Sequence, residues 1–207
     1  EHDEMYYALG TDKEATSTNI QILTILPNKP ENKNTFGYLR EGLLASFFNS
    51  MVSNRLSEIM QQSNPPYLGG AIGYGGLVRN YSSYSCATTA KPGEETEALK
   101  TILTENERIK RYGFSDSELE RVKANLLSAM ESSYKQRDKF RNESFVSDIK
   151  DNFLLGEPIV EYEVYYDYIT KTIPKITVKE IMEYAKPWFT KKNQVAVVTG
   201  PDDVQHL

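Results

Sequence analysis

The stretch TNIQILTILPNKPENKNTFGYLREGLLASFFNSMVSNRLSEIM, residues 18–60, decides the fold because its hydrophobic period changes halfway along. Its first part, Thr18–Leu26, is rich in Ile, Leu and Thr and stops at a proline, which predicts a buried strand. From Thr35 onward, apolar residues recur at steps of three and four, and this spacing predicts a long helix with one broad apolar face. Asn34 is the expected N-cap of that helix.

Beyond this helix, the sequence predicts a pair of strands, several helices and a final strand. Ala71–Arg79 and Tyr81–Ala90 are expected to pair as antiparallel strands, since the second alternates and is rich in Ser, Thr and aromatic residues. Helical patterns then cover Glu94–Gly113, Ser115–Phe153, Tyr162–Ile173 and a short stretch from Thr177, and Gln194–Thr199 has the pattern of a buried strand. The order β-α-β-β-α-α-α-α-β predicts the α+β class, with an antiparallel or mixed sheet covered on one face by helices.

The two ends of the chain differ in character from its middle. Residues 1–16 are polar and aperiodic, so we expect a linker there, followed by a single domain over 17–201 and a tail over 202–207. The chain begins at Glu1 without a signal-peptide pattern and stops directly after a predicted strand. We therefore expect a segment of a longer polypeptide.

The composition argues against several classes of function. The chain carries 24 basic and 29 acidic residues, for a net charge of −5, and this balance disfavours nucleic acid as a partner. Its apolar runs are far shorter than the ~18 residues that a membrane-spanning helix needs. A single cysteine, Cys86, cannot form an internal disulfide, and we expect it to be a small buried hydrophobic residue.

Histidine is the most informative residue type. The chain has only His2 and His206, one near each end, so neither a His-x-x-x-His motif nor a Cys/His zinc cluster can form within the predicted domain. A Ser-His-Asp or Cys-His site would need a residue from a terminus. We therefore predict no catalytic residue, no metal ligand and no cofactor in this chain.

The only glycine cluster lies at the start of the predicted strand pair and comprises Gly69, Gly70, Gly73, Gly75 and Gly76. A nucleotide-binding fingerprint requires a strand before the glycines and a helix after them, and here that order is reversed. The favoured interpretation is a strand where backbones pack closely. A second interpretation is an accessible strand edge that could accept a peptide by β-addition.

Two further clusters have a structural and a functional interpretation. They are the basic run Lys135, Arg137, Lys139 and Arg141 and the tyrosines Tyr162, Tyr165, Tyr166 and Tyr168. The basic run is typical of a solvated helix face or a junction, and nucleic-acid contact is the weaker alternative. The tyrosines are typical of half-buried packing with hydroxyls that reach water, and a stacking platform is the alternative.

Several segments together resemble the domains of pitrilysin/insulinase-type zinc metallopeptidases. They are NRLSEIMQQSNPPYLGG (Asn54–Gly70), YGFSDSELERVKANLLSAME (Tyr112–Glu131), FLLGEPI (Phe153–Ile159), IPKITVKEIMEYAKPWF (Ile173–Phe189) and QVAVVTGP (Gln194–Pro201), with Thr11–Glu14 resembling the entry to the second domain. Each motif is loose alone, whereas their order and spacing together are fairly specific. The resemblance extends over roughly Thr11–Pro201.

The resemblance implies a fold and a division of labour. In that family a long polypeptide, or a pair of subunits, holds several copies of one α+β domain, and the first copy carries the zinc site. This chain has no inverted His-x-x-Glu-His motif and is thus similar to a non-catalytic copy, most of all the second. Some members supply an Arg and a Tyr from a later copy, but Gln61 and Pro65-Pro66-Tyr67 replace that pattern here, so neither Gln61 nor Tyr67 is assigned that role.

The leading hypothesis is a catalytically silent domain that forms part of the wall of a peptide-enclosing chamber. Zinc is then implied only for the catalytic domain of the parent, with sister domains or a partner subunit and peptide substrates as partners, and the bacterial periplasm or envelope as the favoured location. The candidate substrate-facing residues are Tyr67, Gly73, Tyr74, Gly75, Arg79 and Tyr81. The alternatives are an assembly subunit without proteolytic role and a stand-alone peptide-binding module.

Overall fold

The computed structural model describes residues 1–28, 32–139 and 142–202, with the side chains of 142–144 excepted. The strands are β1 (Tyr6–Thr11), β2 (Thr18–Pro27), β3 (Gly69–Val78), β4 (Tyr81–Ala90) and β5 (Gln194–Gly200). The helices are α1 (Phe36–Met60), α2 (Glu95–Tyr112), α3 (Asp116–Lys135), α4 (Asn142–Leu155), α5 (Tyr162–Thr172) and α6 (Val178–Ala185). In the part of the chain that is described, no helix is both long enough and apolar enough to cross a membrane.

The five strands form one sheet in the order β1-β5-β2-β4-β3. β2 is antiparallel to both β4 and β5, and β3 is antiparallel to β4, whereas β1 runs parallel to β5. The sheet is therefore mixed, and the predicted α+β class is confirmed. β1 and β3 form its two edges.

The N-terminal segment corrects one prediction. Within the predicted linker over residues 1–16, Tyr6–Thr11 is a strand, and it pairs in register from Tyr6 opposite Val195 to Thr11 opposite Gly200. All six residues of β1 are exposed, so no alternation of buried and exposed side chains marks the strand in the sequence. Backbone pairing to β5 forms this strand rather than burial of its side chains.

Two predictions about helices are also wrong. The helical pattern from Ser115 to Phe153 does not form one helix, because α3 ends at Lys135 and a short 3₁₀ turn, Arg137–Lys139, follows it. The N-cap of α1 is Thr35 rather than Asn34, since the Thr35 hydroxyl accepts a hydrogen bond from the backbone N–H of Tyr38 at 3.1 Å. Periodicity in both cases located the helix but not its exact boundary.

The described chain forms two compact units. The first comprises Glu1–Asn28, Phe48–Phe114 and Ala185–Leu207, and the second comprises Lys29–Phe47 and Ser115–Tyr184. The first unit thus holds the whole sheet, the second part of α1, and α2. The second holds the first part of α1 and α3 to α6. The single domain predicted over 17–201 stays a prediction.

The core of the first unit lies on one face of the sheet. Along β4, the alternate residues Ser82, Tyr84, Cys86, Thr88 and Ala90 are all buried, and so is Ser83. Their neighbours on β2 are buried on the same face: Thr18 lies opposite Ala90, Ile20 opposite Thr88 and Thr24 opposite Tyr84. Helical residues complete this core, namely Phe48, Met51, Val52 and Leu56 of α1 and Ala98, Ile102 and Ile109 of α2. The sheet is accordingly covered by helices on this face.

The second unit is held by caps, buried aliphatic residues and ion pairs. The predicted capping box of α3 is confirmed, because the Ser115 hydroxyl accepts from the Glu118 N–H and the Glu118 carboxylate accepts from the Ser115 N–H. The Arg40 guanidinium donates to both carboxylate oxygens of Glu180 at 2.6 and 2.8 Å, and these bonds raise the pKa of Arg40. Ile169, Ile173, Ile176 and Ile181 are buried.

Candidate functional site

β3 is one of the two edges of the sheet, and three of the six candidate residues, Gly73, Tyr74 and Gly75, lie on it. In the described sheet it pairs only with β4, from Gly69 opposite Thr89 to Val78 opposite Tyr81, with an irregularity between Gly76 and Val78. An edge strand presents a row of backbone N–H and C=O groups that no neighbouring strand bonds. This edge therefore has the geometry that accepts an extended peptide.

Asn49 of α1 occupies part of that edge. Its side-chain amide donates to the backbone carbonyl of Tyr74 at 2.8 Å and accepts from the backbone N–H of Tyr74 at 2.9 Å. Both backbone groups of Tyr74 are thus bonded by one amide, as they would be by the C=O and N–H of one residue in a neighbouring antiparallel strand. Asn49 is half-buried and lies between the buried apolar pairs Phe47–Phe48 and Met51–Val52 of α1.

Two glycines of the cluster are needed for close packing. A Cβ built on Gly73 would lie 2.9 Å from Oδ1 of Asn49, and one on Gly70 would lie 2.7 Å from Cδ1 of Ile102. At Gly75 and Gly76, in contrast, no described atom lies within 4 Å of the position that a Cβ would take. The close-packing interpretation therefore holds for Gly70 and Gly73, while Gly75 and Gly76 lie in open space.

An aromatic cluster supports the edge from within the first unit. The ring of Tyr74 stacks on the indole of Trp188 with centroids 4.2 Å apart and planes 4° from parallel. Phe48 contacts Trp188 edge to face at 5.1 Å and Phe114 at 5.4 Å. The Tyr84 hydroxyl donates to Oδ1 of Asn106 at 2.7 Å, and burial raises the pKa of Tyr84 well above its usual range.

The hairpin that joins β3 and β4 is exposed and partly apolar. Leu77 is 41% exposed, Val78 63% and Tyr81 45%. Asn80 adopts φ 71° in the two-residue turn, and its carbonyl accepts from the backbone N–H of Asn28 at 2.8 Å. The tip thus presents apolar side chains on a backbone that is anchored to the end of β2.

Five of the six candidate residues lie along this hairpin. Gly73 and Tyr74 are half-buried, whereas Gly75, Arg79 and Tyr81 are exposed. Tyr67 does not belong to this surface, because it is fully buried and its hydroxyl donates to the carbonyl of Leu56 at 3.2 Å. Burial also raises the pKa of Tyr67. The prediction that Tyr67 faces a substrate is wrong, since the segment before the strand turns its ring into the core.

Sequence reasoning missed Asn49, Trp188, Leu77 and Val78. A signal existed for Asn49, since Asn is a poor helix former and rarely occupies a buried helix face without a hydrogen-bond partner. The tip residues carried no such signal. Their side chains are apolar, and apolar residues in a strand normally indicate core.

No metal-binding group appears in the described ranges 1–28, 32–139 and 142–202, where no three His, Cys, Asp or Glu residues converge. His2 stacks on Tyr6 at 3.9 Å, and its Nδ1 lies 2.5 Å from the carbonyl of Glu4. His206 lies outside the described residues. Cys86 is buried as predicted, and this burial raises the pKa of its thiol to about 12.

The basic run and the tyrosines belong to the second unit. Lys135 bonds Glu131 at 2.7 Å, and Arg137 lies 4.3 Å from the ring centroid of Tyr134 at the turn after α3. The ring of Tyr134 in turn stacks on that of Tyr166 at 4.1 Å. The junction and packing interpretations are therefore confirmed for these residues, while Arg141 lies outside the described ranges.

Comparison with known proteins finds similarity to a zinc protease. No model of a known protein family matches the chain. The chain is 24% identical over 186 residues to a zinc protease PQQL-like protein of Arabidopsis thaliana, a match that covers 89% of the chain and 16% of that protein. The chain thus spans about a sixth of this relative's length.

Solved structures share the fold. The first half of the periplasmic protease PqqL from Escherichia coli matches with a TM-score of 0.80 and 20% identity, over 97% of this chain and 43% of that one. The inactive domain of an M16 peptidase from Pseudomonas fluorescens matches with a TM-score of 0.67 and 12% identity, over 96% of this chain and 43% of that one. These comparisons confirm the resemblance to pitrilysin/insulinase-type peptidase domains that the sequence motifs indicate.

Proposed function

We propose that this chain is a catalytically silent domain of a larger zinc metalloendopeptidase and forms part of the wall of the chamber that encloses its peptide substrates. The observation that carries the proposal is the likeness over 97% of the chain to 43% of the first half of PqqL. A match of that extent corresponds to one domain of a multidomain protease. The relative from Arabidopsis thaliana, described as a zinc protease, supports the same assignment.

The residues of this chain support catalytic silence. Zinc hydrolases hold their metal with three protein ligands, usually histidines and carboxylates, and use it to activate water. The two histidines lie at positions 2 and 206, and the described residues bring no three potential ligands together. In this proposal the zinc and the water-activating groups belong to another domain of the parent.

The β3 edge supports the role as a wall. A chamber for peptides needs a rigid surface that meets an extended backbone and apolar side chains. The Tyr74–Trp188 stack makes the base of the hairpin rigid, and Leu77, Val78 and Tyr81 expose apolar area at its tip. None of these groups needs to ionise for this role. Sister domains, or a partner subunit, would complete the enclosure, and we propose the bacterial envelope as its location.

One observation also fits the alternative of an assembly subunit without proteolytic role. Along α4, Phe145, Val146, Ile149 and Phe153 are all at least half exposed, and Phe153 is 85% exposed. Apolar rows of this kind mark contact with another protein. Such a surface suits a scaffold as well as a domain of a protease, so activity measurements must separate the two.

The first test uses the chain alone and the polypeptide that carries it. We expect the purified chain to bind no stoichiometric zinc after dialysis and to cleave no fluorogenic peptide, while the full polypeptide does both and loses cleavage with a chelator. Zinc bound tightly by the chain, or its chelator-sensitive proteolysis, would contradict catalytic silence. A full polypeptide that binds no zinc and cleaves nothing would favour the assembly subunit.

A pair of variants in the full polypeptide tests the role of the wall. Val78→Asp places a charge at the exposed tip of the β3 edge, and Leu9→Asp places the same charge on β1, at the opposite edge, where the side chain is 56% exposed. We expect Val78→Asp to raise KM for an apolar peptide with zinc content unchanged, and Leu9→Asp to leave KM as it is. Equal KM values in both variants would contradict the proposed surface.

A further inference from the structure

The free edge of β3 is open over only part of its length. In an antiparallel ladder, alternate residues direct both backbone groups away from the partner strand. Asn49 bonds both groups of Tyr74, so these point away from β4, and the alternation places the groups of Ile72 and Gly76 on the same side. Ile72 is only 5% exposed, whereas Gly76 is exposed. The edge is therefore covered at Ile72, occupied at Tyr74 and accessible at Gly76, after which the pairing with β4 becomes irregular.

The contact at Tyr74 depends on a specific neighbour. The primary amide of Asn49 has one donor and one acceptor side, and both are used on the same residue of β3. Gly73 leaves the room for it, since a Cβ there would lie 2.9 Å from Oδ1 of Asn49. The side chain therefore takes the place of the backbone C=O and N–H that one residue of an added antiparallel strand would present to Tyr74.

We infer that Asn49 determines where an extended peptide paired with β3 must end. The amide of Asn49 excludes the peptide from Tyr74 and leaves it the part of the edge that begins at Gly76. The occupant is an unstructured peptide bound in extended form, with its first or last paired residue opposite Gly76. This inference rests on the proposed function, because it assumes that peptides meet the β3 edge. Asn49 would then be a positioning residue that sets register without touching the scissile bond.

The test measures where a peptide contacts the edge. The probe is an alternating Thr-Val decapeptide, which favours an extended backbone, and the readout is the amide exchange rate of Tyr74 and Gly76 followed by NMR on the isotope-labelled chain. With the wild-type chain, we expect the peptide to slow exchange at Gly76 and to leave Tyr74 unchanged. With Asn49→Ala, exchange at Tyr74 should rise at least about tenfold without peptide, because its acceptor is lost, and fall when the peptide is added.

The affinity of the chain for the probe should rise when Asn49 is replaced by alanine. Opening the edge at Tyr74 adds two backbone bonds for the peptide, so Asn49→Ala should lower Kd by about fivefold or more. Asn49→Asp keeps the size and the acceptor but loses the donor to the Tyr74 carbonyl. It should therefore also raise peptide protection at Tyr74, to a smaller extent. The control is Asn152→Ala, which removes an exposed amide that donates to the carbonyl of Glu157 in the second unit and should leave the contacts of the peptide unchanged.

The outcomes separate the two proposals. Protection at Gly76 and Tyr74 alike in the wild-type chain, or identical contacts in wild type and Asn49→Ala, would overturn the role of Asn49 while leaving a peptide-binding edge intact. No protection of either amide in any variant would overturn the peptide-facing edge itself. Because fluorescence of Trp188 reports folding of the same unit, a variant that failed to fold would be recognised, and Asn49→Asp would then carry the test.

Discussion

The guanidinium of Arg55 lies 3.1 Å from Oε1 of Glu105, a carboxylate that is almost completely buried between α1 and α2. A second nitrogen of Arg55 donates to the carbonyl of Gly113 at 3.0 Å, and the guanidinium lies 4.8 Å from the ring centroid of Phe114. Arg108 reaches the other oxygen of Glu105 at 3.0 Å from a more exposed position. Arg55, which belongs to the Asn54–Gly70 segment of the family resemblance, thus has a structural role in this chain.

We expect Arg55→Met to destabilise the first unit by about 2–4 kcal/mol, because it leaves the Glu105 carboxylate buried with one exposed partner. Arg108→Met is the matched control, since it removes the solvent-exposed partner of the same carboxylate and leaves Arg55 in place, so it should cost less than about 1 kcal/mol. Urea unfolding followed by Trp188 fluorescence measures both. Equal losses from the two variants would show that the burial of Arg55 has no special importance.

Gly73 and Gly75 lie on the same strand and differ in what surrounds them. Gly73→Ala should destabilise the first unit by about 1–3 kcal/mol, because the new Cβ must displace the Asn49 amide from Tyr74. Gly75→Ala meets no neighbour among the described residues and should leave stability unchanged or raise it by about 0.4–1 kcal/mol through the unfolded chain. Thermal unfolding of the two variants under identical conditions measures the difference. A loss for Gly75→Ala as large as that for Gly73→Ala would contradict the close-approach interpretation.

Phe48 lies at the centre of the aromatic cluster, and its ring contacts those of Tyr84, Phe114, Trp188 and Phe189. Phe48→Ala should therefore cost about 3–5 kcal/mol by removing a fully buried ring from several partners. It should also change the emission of Trp188, the only tryptophan. Phe153→Ala removes a ring that is 85% exposed and should cost less than about 0.5 kcal/mol. A small loss for Phe48→Ala would mean that the cluster repacks.

Much of the fold was predictable because most elements bury one face. β2 and β4 carry continuous apolar or alternating patterns, and each was predicted within a residue of its observed end. β1 has no buried residue and therefore no pattern, so only its pairing with β5 reveals it. The break after Lys135 was missed for a related reason, since apolar spacing continues from α3 into α4 although the chain turns between them.

The site was predictable only in outline. The glycines identified the correct strand, because their lack of side chains implies close packing or an open edge. Tyr67 was misassigned because a tyrosine next to Pro65-Pro66 has the same composition whether its ring faces solvent or core. Asn49 and Tyr74 are 25 residues apart, and no local pattern predicts a contact over that separation. The decisive feature of the edge is therefore a tertiary contact.

The buried thiol of Cys86 makes stability depend on alkaline pH. Burial raises its pKa from the ordinary 9.0 to about 12 in the folded chain. Below pH 9 the thiol is neutral in both states and has no effect, whereas above pH 9 it ionises only in the unfolded chain. Stability should thus fall by up to about 1.4 kcal/mol per pH unit between pH 9 and 12 from this group alone.

Cys86→Ala isolates that contribution. The variant loses some packing at every pH. Its stability should nevertheless stay level from about pH 8 to nearly 10, a range in which the stability of the wild type already declines. Above about pH 10 it should fall as well, because tyrosines, Tyr84 among them, ionise in the unfolded chain. Urea unfolding at half-unit steps of pH measures the difference between the two chains. A constant difference from about pH 8 to 11 would mean that Cys86 titrates normally, and rapid alkylation of the folded chain at about pH 8 would then be expected as well.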